Sequence, residues 1–168
     1  GDKIERARAS AKQLVERLAD EDRVSIVTYA TDYAVDLPLT RVGDARARIL
    51  RVIDGIVDGG GTNISGGLES AIAELERGRG AGAASRVVLM SDGNANQGIT
   101  DPRALGELAR RARERGISVS SLGVGLDFNE DVMTILAESG GGAYHYVREA
   151  QDIAVALDAE LSSMAALA

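Results

Sequence analysis

The sequence predicts an α/β fold, doubly wound, with a mainly parallel sheet, helices on both faces and one antiparallel edge strand. Three observations lead there. The short run near 24 to 30 is β-branched or apolar at almost every position, as a strand covered on both faces is, and further strands are expected near 86 to 91 and 117 to 123. Segments with apolar residues at helical spacing alternate with these runs. Strands joined by crossovers of about a dozen residues build right-handed βαβ units, which place helices on both sides of a parallel sheet. At 168 residues the chain is expected to form a single domain spanning 1–168, long enough to bury a proper core without staples.

Each element follows from its residues. From Asp2 onward, Ile4, Ala7, Ala11, Leu14, Val15 and Leu18 keep helical spacing, with Asp2 expected as cap and Glu5 at the capping-box position. The polar break Asp20-Glu21-Asp22 precedes the first strand, Arg23 to Ala30. A second strand is expected from Tyr33 to Leu37, ended by Pro38; proline cannot donate to a ladder and suits an edge. The helix Asp44 to Gly55 carries Ala45, Ile49, Val52 and Ile53 on one side and leads to Gly59-Gly-Gly-Thr-Asn63. A helix striped by Leu68, Ile72 and Leu75 passes through the Gly/Ala-rich stretch 78–84 into the strand Arg86 to Ser91, which stops at Asp92-Gly-Asn94. Asp101 caps the next helix with Pro102 at its first position, and Gly116 is its left-handed terminator. Ile117 to Val124 is a strand, Asn129 to Ser139 a short helix ending at Gly140-Gly-Gly142, and Ala143 to Val147 the last strand. Ile153, Leu157, Leu161 and Met164 stripe a final helix.

Composition removes several functions. The 19 basic against 26 acidic residues give a net charge of −7, which repels phosphate backbones, and 4 Tyr and 1 Phe leave little to stack bases. Nucleic acid is not an expected partner. Without cysteine there is neither a disulfide nor a cysteine-ligated zinc. No run approaches the ~20 apolar residues of a membrane span, and Gly1-Asp-Lys does not open a signal peptide, so a soluble chain is expected. The glycine run before Thr62 follows a helix and lacks the lysine of a phosphate-binding loop. The single histidine, His145, lies between Tyr144 and Tyr146 in a strand with no nucleophile elbow nearby, and is read as structural. The run Arg110 to Arg115 is a solvated face.

In doubly wound sheets ligands meet the C-terminal ends of the strands, so the loops 30–32, 91–96 and 123–129 share the functional rim. Two residues stand out there. Asp92 ends an apolar strand, and Thr62 follows three glycines where a helix begins. Each has an ordinary alternative: Asp-Gly is a turn pair, and Thr62 or Asn63 is a natural helix cap. A carboxylate and a hydroxyl are also what Mg²⁺ takes beside its retained waters, so Thr62 and Asp92 are the candidate metal ligands.

At these residues the sequence resembles the von Willebrand factor type A family, the integrin I-like domain. Four stretches look like consecutive family blocks in family order: Asp22-Arg-Val-Ser-Ile-Val-Thr-Tyr29, Gly60-Gly-Thr-Asn63, Val87-Val-Leu-Met-Ser-Asp-Gly93 and 117–125. The run Asp92-Gly-Asn-Ala-Asn-Gln-Gly-Ile-Thr-Asp101 resembles bacterial members most. The resemblance implies a metal-ion-dependent adhesion site in which a divalent cation, usually Mg²⁺, accepts a carboxylate from a partner protein. Thr62 matches the family's threonine ligand and Asp92 its aspartate, which reaches the metal through water. The signature Asp-x-Ser-x-Ser belongs on a central strand ahead of the helix starting at Asp2 and is missing from these residues. N-terminal truncation is the expectation, with the strand supplied by another chain as an alternative. Mg²⁺ binding by residues 1–168 alone is then expected to be weak or absent.

The leading function is a non-enzymatic protein-binding module with a full or remnant Mg²⁺ site for a partner's exposed carboxylate. A metal-free structural interaction domain is the alternative. A metal-assisted hydrolase using Asp92 is weaker, because Asp127, Glu130 and Asp131 on the neighbouring loop make no recognised catalytic spacing. The resemblance implies a bacterial protein; the sequence leaves its compartment open between cytoplasm, periplasm, cell surface and a membrane-anchored assembly.

Overall fold

The computed structural model describes residues 2–57, 60–78, 85–91, 95–124 and 130–165. In chain order these form α1 (Asp2–Arg17), β1 (Arg23–Tyr29), β2 (Tyr33–Arg41), α2 (Val42–Asp54), α3 (Ile64–Gly78), β3 (Ser85–Ser91), α4 (Pro102–Glu114), β4 (Ile117–Val124), α5 (Glu130–Gly140), β5 (Gly141–Val147) and α6 (Asp152–Ala165). The expected Gly/Ala-rich connection falls largely on 79–84, outside the described residues.

Strands β3, β4 and β5 pair in parallel, in that order. Helices cover both faces. Ile64, Leu68 and Ile72 of α3, Leu105 and Ala109 of α4 and Val132, Met133 and Leu136 of α5 pack against Val87, Leu89, Ile117 and Val119. On the other face Ile153 and Leu157 of α6, with Ala9 and Leu14 of α1, cover Leu122, Val124 and Val147. A third cluster joins Val15 of α1 and Ile49 and Ile53 of α2 to Leu37 of β2 and Val24 and Ile26 of β1. Each such side chain taken fully out of water contributes about 1.5–3 kcal/mol. The fold class is the α/β arrangement the sequence predicts.

One expectation is corrected. The strands at 24–30, 86–91, 117–123 and 143–147 do not make one sheet: β1 pairs only with β2, antiparallel, and the described strands form two sheets. The two sheets are linked by contacts near the ends of β1. At the end of β1 the Tyr29 hydroxyl donates to the Met90 carbonyl near the end of β3 (2.8 Å). At the start of β1, Arg23 Nη1 donates to the carbonyl of Gly78, the last residue of α3 and the one nearest in the chain to β3 (2.8 Å). Strand β1, paired on one side, is only partly buried, whereas β4, paired on both, is buried at nearly every position.

Smaller corrections have local causes. Strand β2 runs through Pro38 to Arg41, because an edge strand tolerates a missing N–H and the register shifts there. Ser25 Oγ fills in by donating to the Leu37 carbonyl (2.8 Å). Asp2 is itself helical and does not stand ahead of α1 as its cap. Asp101 caps α4 as expected, accepting from Ala104 N (3.3 Å), and Gly116 ends the turn after it at φ +84°. Strand β5 begins at Gly141, two residues early, and Gly142 lies so close to β4 that a Cβ would collide with the Val119 carbonyl and Ser120 Oγ. Gly142→Ala is therefore expected to destabilise the fold by about 3 kcal/mol, read as a lowered urea midpoint.

Candidate metal centre

Three loops meet at the C-terminal rim of the sheet. Asn63 ties α3 to the end of β1: its N–H donates to the Ala30 carbonyl (2.7 Å). Its side chain is the helix cap, Oδ1 accepting from Gly66 N (2.9 Å) and from Ser65 Oγ (3.1 Å). Gly61 N donates to Thr31 Oγ1 (3.1 Å). From the loop after β3, Asn96 grips the backbone of Thr62 on both sides. Thr62 N donates to Asn96 Oδ1 (2.8 Å), and the Thr62 carbonyl accepts from Asn96 N (3.0 Å) and Gln97 N (3.2 Å). Ile99 N donates to Ser65 Oγ (3.0 Å), binding the same loop to the first turn of α3.

This decides between the two uses open to Thr62 and Asn63. Asn63 serves as cap; the half-buried Thr62 has its backbone fixed, while its hydroxyl makes no hydrogen bond to a described residue. Asp92 lies outside the described residues, as do Gly93, Asn94 and Asp127. The expected approach of Asp92 to Thr62 therefore also lies outside them. What is described on either side is Ser91, which ends β3, and Asn96, which is bonded to Thr62. Sequence reasoning missed Asn96 and Thr31 as the residues that hold the Thr62 loop; the asparagine-rich run after Asp92 was the available signal.

The rim is acidic. Asp32 and Asp101 are exposed, and Glu130 and Asp131 occupy the first turn of α5, favourably placed at a helix N-terminus. Asp101, Arg103, Glu130, Asp131 and Thr134 line a groove between the starts of α4 and α5. Burial, with Glu130 and Tyr146 adding to it, pushes the Tyr144 phenol up to about 12. Among the described residues no three His, Asp or Glu side chains converge as a metal site.

A second polar cluster lies away from this rim. Arg86 and Glu160 are both about 1% exposed, with Nη1 to Oε1 at 2.8 Å. Arg86 Nε donates to Ser118 Oγ (2.8 Å) and Nη1 to Ser163 Oγ (3.2 Å), while Nη2 is buried without a partner. His145 Nε2 stands 3.1 Å from the other Glu160 oxygen, so it joins α6 to β5. Burial opposes the charge on Glu160, yet hydrogen bonds from His145, Ser120 and Arg86 and the Arg86 charge outweigh it and hold the carboxyl below the ordinary glutamate range.

Comparison with known proteins places this arrangement. The Escherichia coli (strain K12) protein YfbK is 35% identical over 157 residues, covering 93% of this chain and 27% of its own length. The structure of BatB from Bacteroides thetaiotaomicron superposes with a TM-score of 0.81 at 23% identity, covering 97% of this chain and 88% of that one. Proximal thread matrix protein 1 from the mussel byssus, solved with a zinc-occupied MIDAS motif, superposes with a TM-score of 0.77 at 18% identity, covering 96% of this chain and 43% of that one. The chain spans well under half the length of the curated relatives it matches. The von Willebrand factor type A domain profile matches residues 1–159, and the chain belongs to that family.

Proposed function

We propose that the rim around Thr62 is an adhesion-type, protein-binding site. A divalent cation, Mg²⁺ in the first instance, is held by the Thr62 hydroxyl and by Asp92 through water, and coordinates an acidic side chain of a partner. The observation that carries this reading is that Asn63 performs the capping role and Asn96 holds the Thr62 backbone, so the Thr62 hydroxyl is not used as the cap. Family membership supports it, since these domains are generally interaction modules, and so does the metal-occupied motif in the byssus protein. Its chemistry suits the cation: Mg²⁺ takes oxygen ligands and keeps several waters, so one hydroxyl and one carboxylate are the kind of donors it uses. When bound, the cation would supply a positive centre on an acidic rim, and without it a partner's carboxylate would meet Asp32 and Asp101 with like charge. Thr62 and Asp92 then position and bind, and no bond is made or broken.

A metal-free interaction domain is the second reading, favoured by the absence of a converging acidic group among the described residues. No helix among them is long and apolar enough to cross a membrane. The test uses immobilised peptides carrying one Asp or one Asn. Retention of the full-length protein on the Asp peptide alone, lost with EDTA and in Thr62→Ala, is expected; retention insensitive to all three changes supports the metal-free reading instead.

A further inference from the structure

Among the described residues, strands β1, β2, β3 and β5 stand at sheet edges. An open edge is a template for another extended segment unless charge, proline or irregular pairing blunts it. Strands β1 and β3 are linked within the molecule through Tyr29 and Met90. Strand β2 carries all three deterrents: the exposed Asp36, Pro38 and two register shifts. Strand β5 has no charged residue and no proline, and from Tyr144 to Val147 it pairs with β4 without a shift. Every residue of β5 but Val147 is exposed or half-buried, whereas its neighbour β4 is buried at all positions but one. In a parallel pair alternate residues turn both N–H and C=O away from the neighbour, so β5 presents a row of backbone donors and acceptors on its outer side.

The residue order of β5 favours one occupant, a second copy of the same strand. Ala143-Tyr-His-Tyr-Val147 has nearly the same chemistry read from either end. Laid antiparallel about His145, a second β5 sets Tyr144 opposite the partner's Tyr146 and Ala143 opposite the partner's Val147, and two-fold symmetry makes each pair occur twice. Aromatic residues directly opposite each other are among the favourable cross-strand pairs, and Tyr146 is 42% exposed in the single chain. The same register is complementary in charge. It places the exposed Glu149, just beyond β5, opposite the partner's Gly141, and the Arg113 side chain lies against Gly141. A Glu149–Arg113 pair of opposite charge thus stands at each end of the shared ladder. Gly141 and Gly142 bring no side chains to obstruct the approach.

We propose that two copies of the protein pair through their β5 edges, antiparallel about a two-fold axis at His145, joining two β3-β4-β5 sheets into one. The pairing does not depend on a cation at Thr62. The test is sedimentation equilibrium of the full-length protein over a concentration series, beside the variants Tyr146→Lys, Tyr33→Lys, Glu149→Arg, Arg113→Glu and the last two combined, each checked for an unchanged circular dichroism spectrum. The unmodified protein is expected to reach the mass of two chains. Tyr146→Lys enters the interface twice, so a tenfold loss at each place weakens the dimer about a hundredfold. Tyr33→Lys, at an exposed tyrosine of the β2 edge, should leave the dimer as it is. Glu149→Arg and Arg113→Glu should each weaken it by setting like charges opposite each other, and their combination should restore it. A monomer at every concentration overturns the proposal, whatever other strand the edge then takes, and so does an assembly that ignores Tyr146→Lys or is lost equally in Tyr33→Lys. Without a loss in the two charge reversals and a recovery in their combination, the register about His145 is wrong.

Discussion

Glu160→Ala should lower the unfolding free energy by about 4 kcal/mol, because it leaves the Arg86 guanidinium buried without its counter-charge. Arg86 Nη2 is already buried without a partner among the described residues, so the loss of Glu160 adds to an unmet demand for acceptors. Glu160→Gln should cost less, since an amide oxygen still accepts from Arg86. Replacing both partners by apolar residues of similar volume, as Arg86→Met with Glu160→Leu, should come out close to neutral, and urea denaturation of the unmodified protein, the singles Arg86→Met and Glu160→Leu and the double variant measures the coupling. The same pair sets a pH dependence. The folded Glu160 carboxyl lies below its ordinary range, so its contribution is fully present above the unfolded-state value and is lost as the pH falls through the folded value. In Glu160→Gln that part of the acid sensitivity should vanish, and an unchanged acid unfolding curve would remove the role given to the pair.

The second large effect concerns the split between β1 and β3. A chain in which an Asp-x-Ser-x-Ser strand is joined ahead of Gly1 is expected to exceed residues 1–168 in stability by about 5 kcal/mol, taking ~1 kcal/mol for each ladder hydrogen bond the two strands gain. Strands β1 and β3 each stand at the edge of a separate sheet among the described residues, and an unpaired edge leaves backbone donors and acceptors open to an extended segment. Hydrogen exchange follows the insertion directly: amides of β1 and β3 should become protected in the longer chain, with those of β5 little changed. If the amides of β1 and β3 exchange equally fast in both chains, the added strand lies elsewhere.

Much of the fold was legible because local chemistry decides it. Asp101 with Pro102 starts α4, Gly116 stops the turn behind it, and Ile117, Val119, Leu122 and Val124 mark out a strand, which β4 is. Strand partners were less legible. Period and composition define β1 as a strand but carry no record of what lies beside it, so four strands were joined into one sheet that the structure divides. Pro38 looked like an end because the rule for proline concerns central strands, whereas an edge with a shifted register passes through it. At the rim, sequence picked out Thr62 but could not separate its role from that of Asn63. That distinction depends on Asn96, which is 34 residues away and becomes a neighbour only on folding. Arg86 read as a flank of an apolar strand for the same reason, its partner Glu160 lying 74 residues further on.

The central claim, a cation site built on Thr62, is tested most directly by calorimetric titration with Mg²⁺. Three proteins are compared: residues 1–168, the same chain with an Asp-x-Ser-x-Ser strand joined ahead of Gly1, and that longer chain with Thr62→Ala. A hydroxyl and one carboxylate gain little over the hydration that Mg²⁺ gives up reluctantly, so residues 1–168 should show weak binding or none. The longer chain should bind one Mg²⁺ per molecule, and Thr62→Ala should lose it. Micromolar binding by residues 1–168 alone, or a longer chain indifferent to Thr62→Ala, would contradict the assignment.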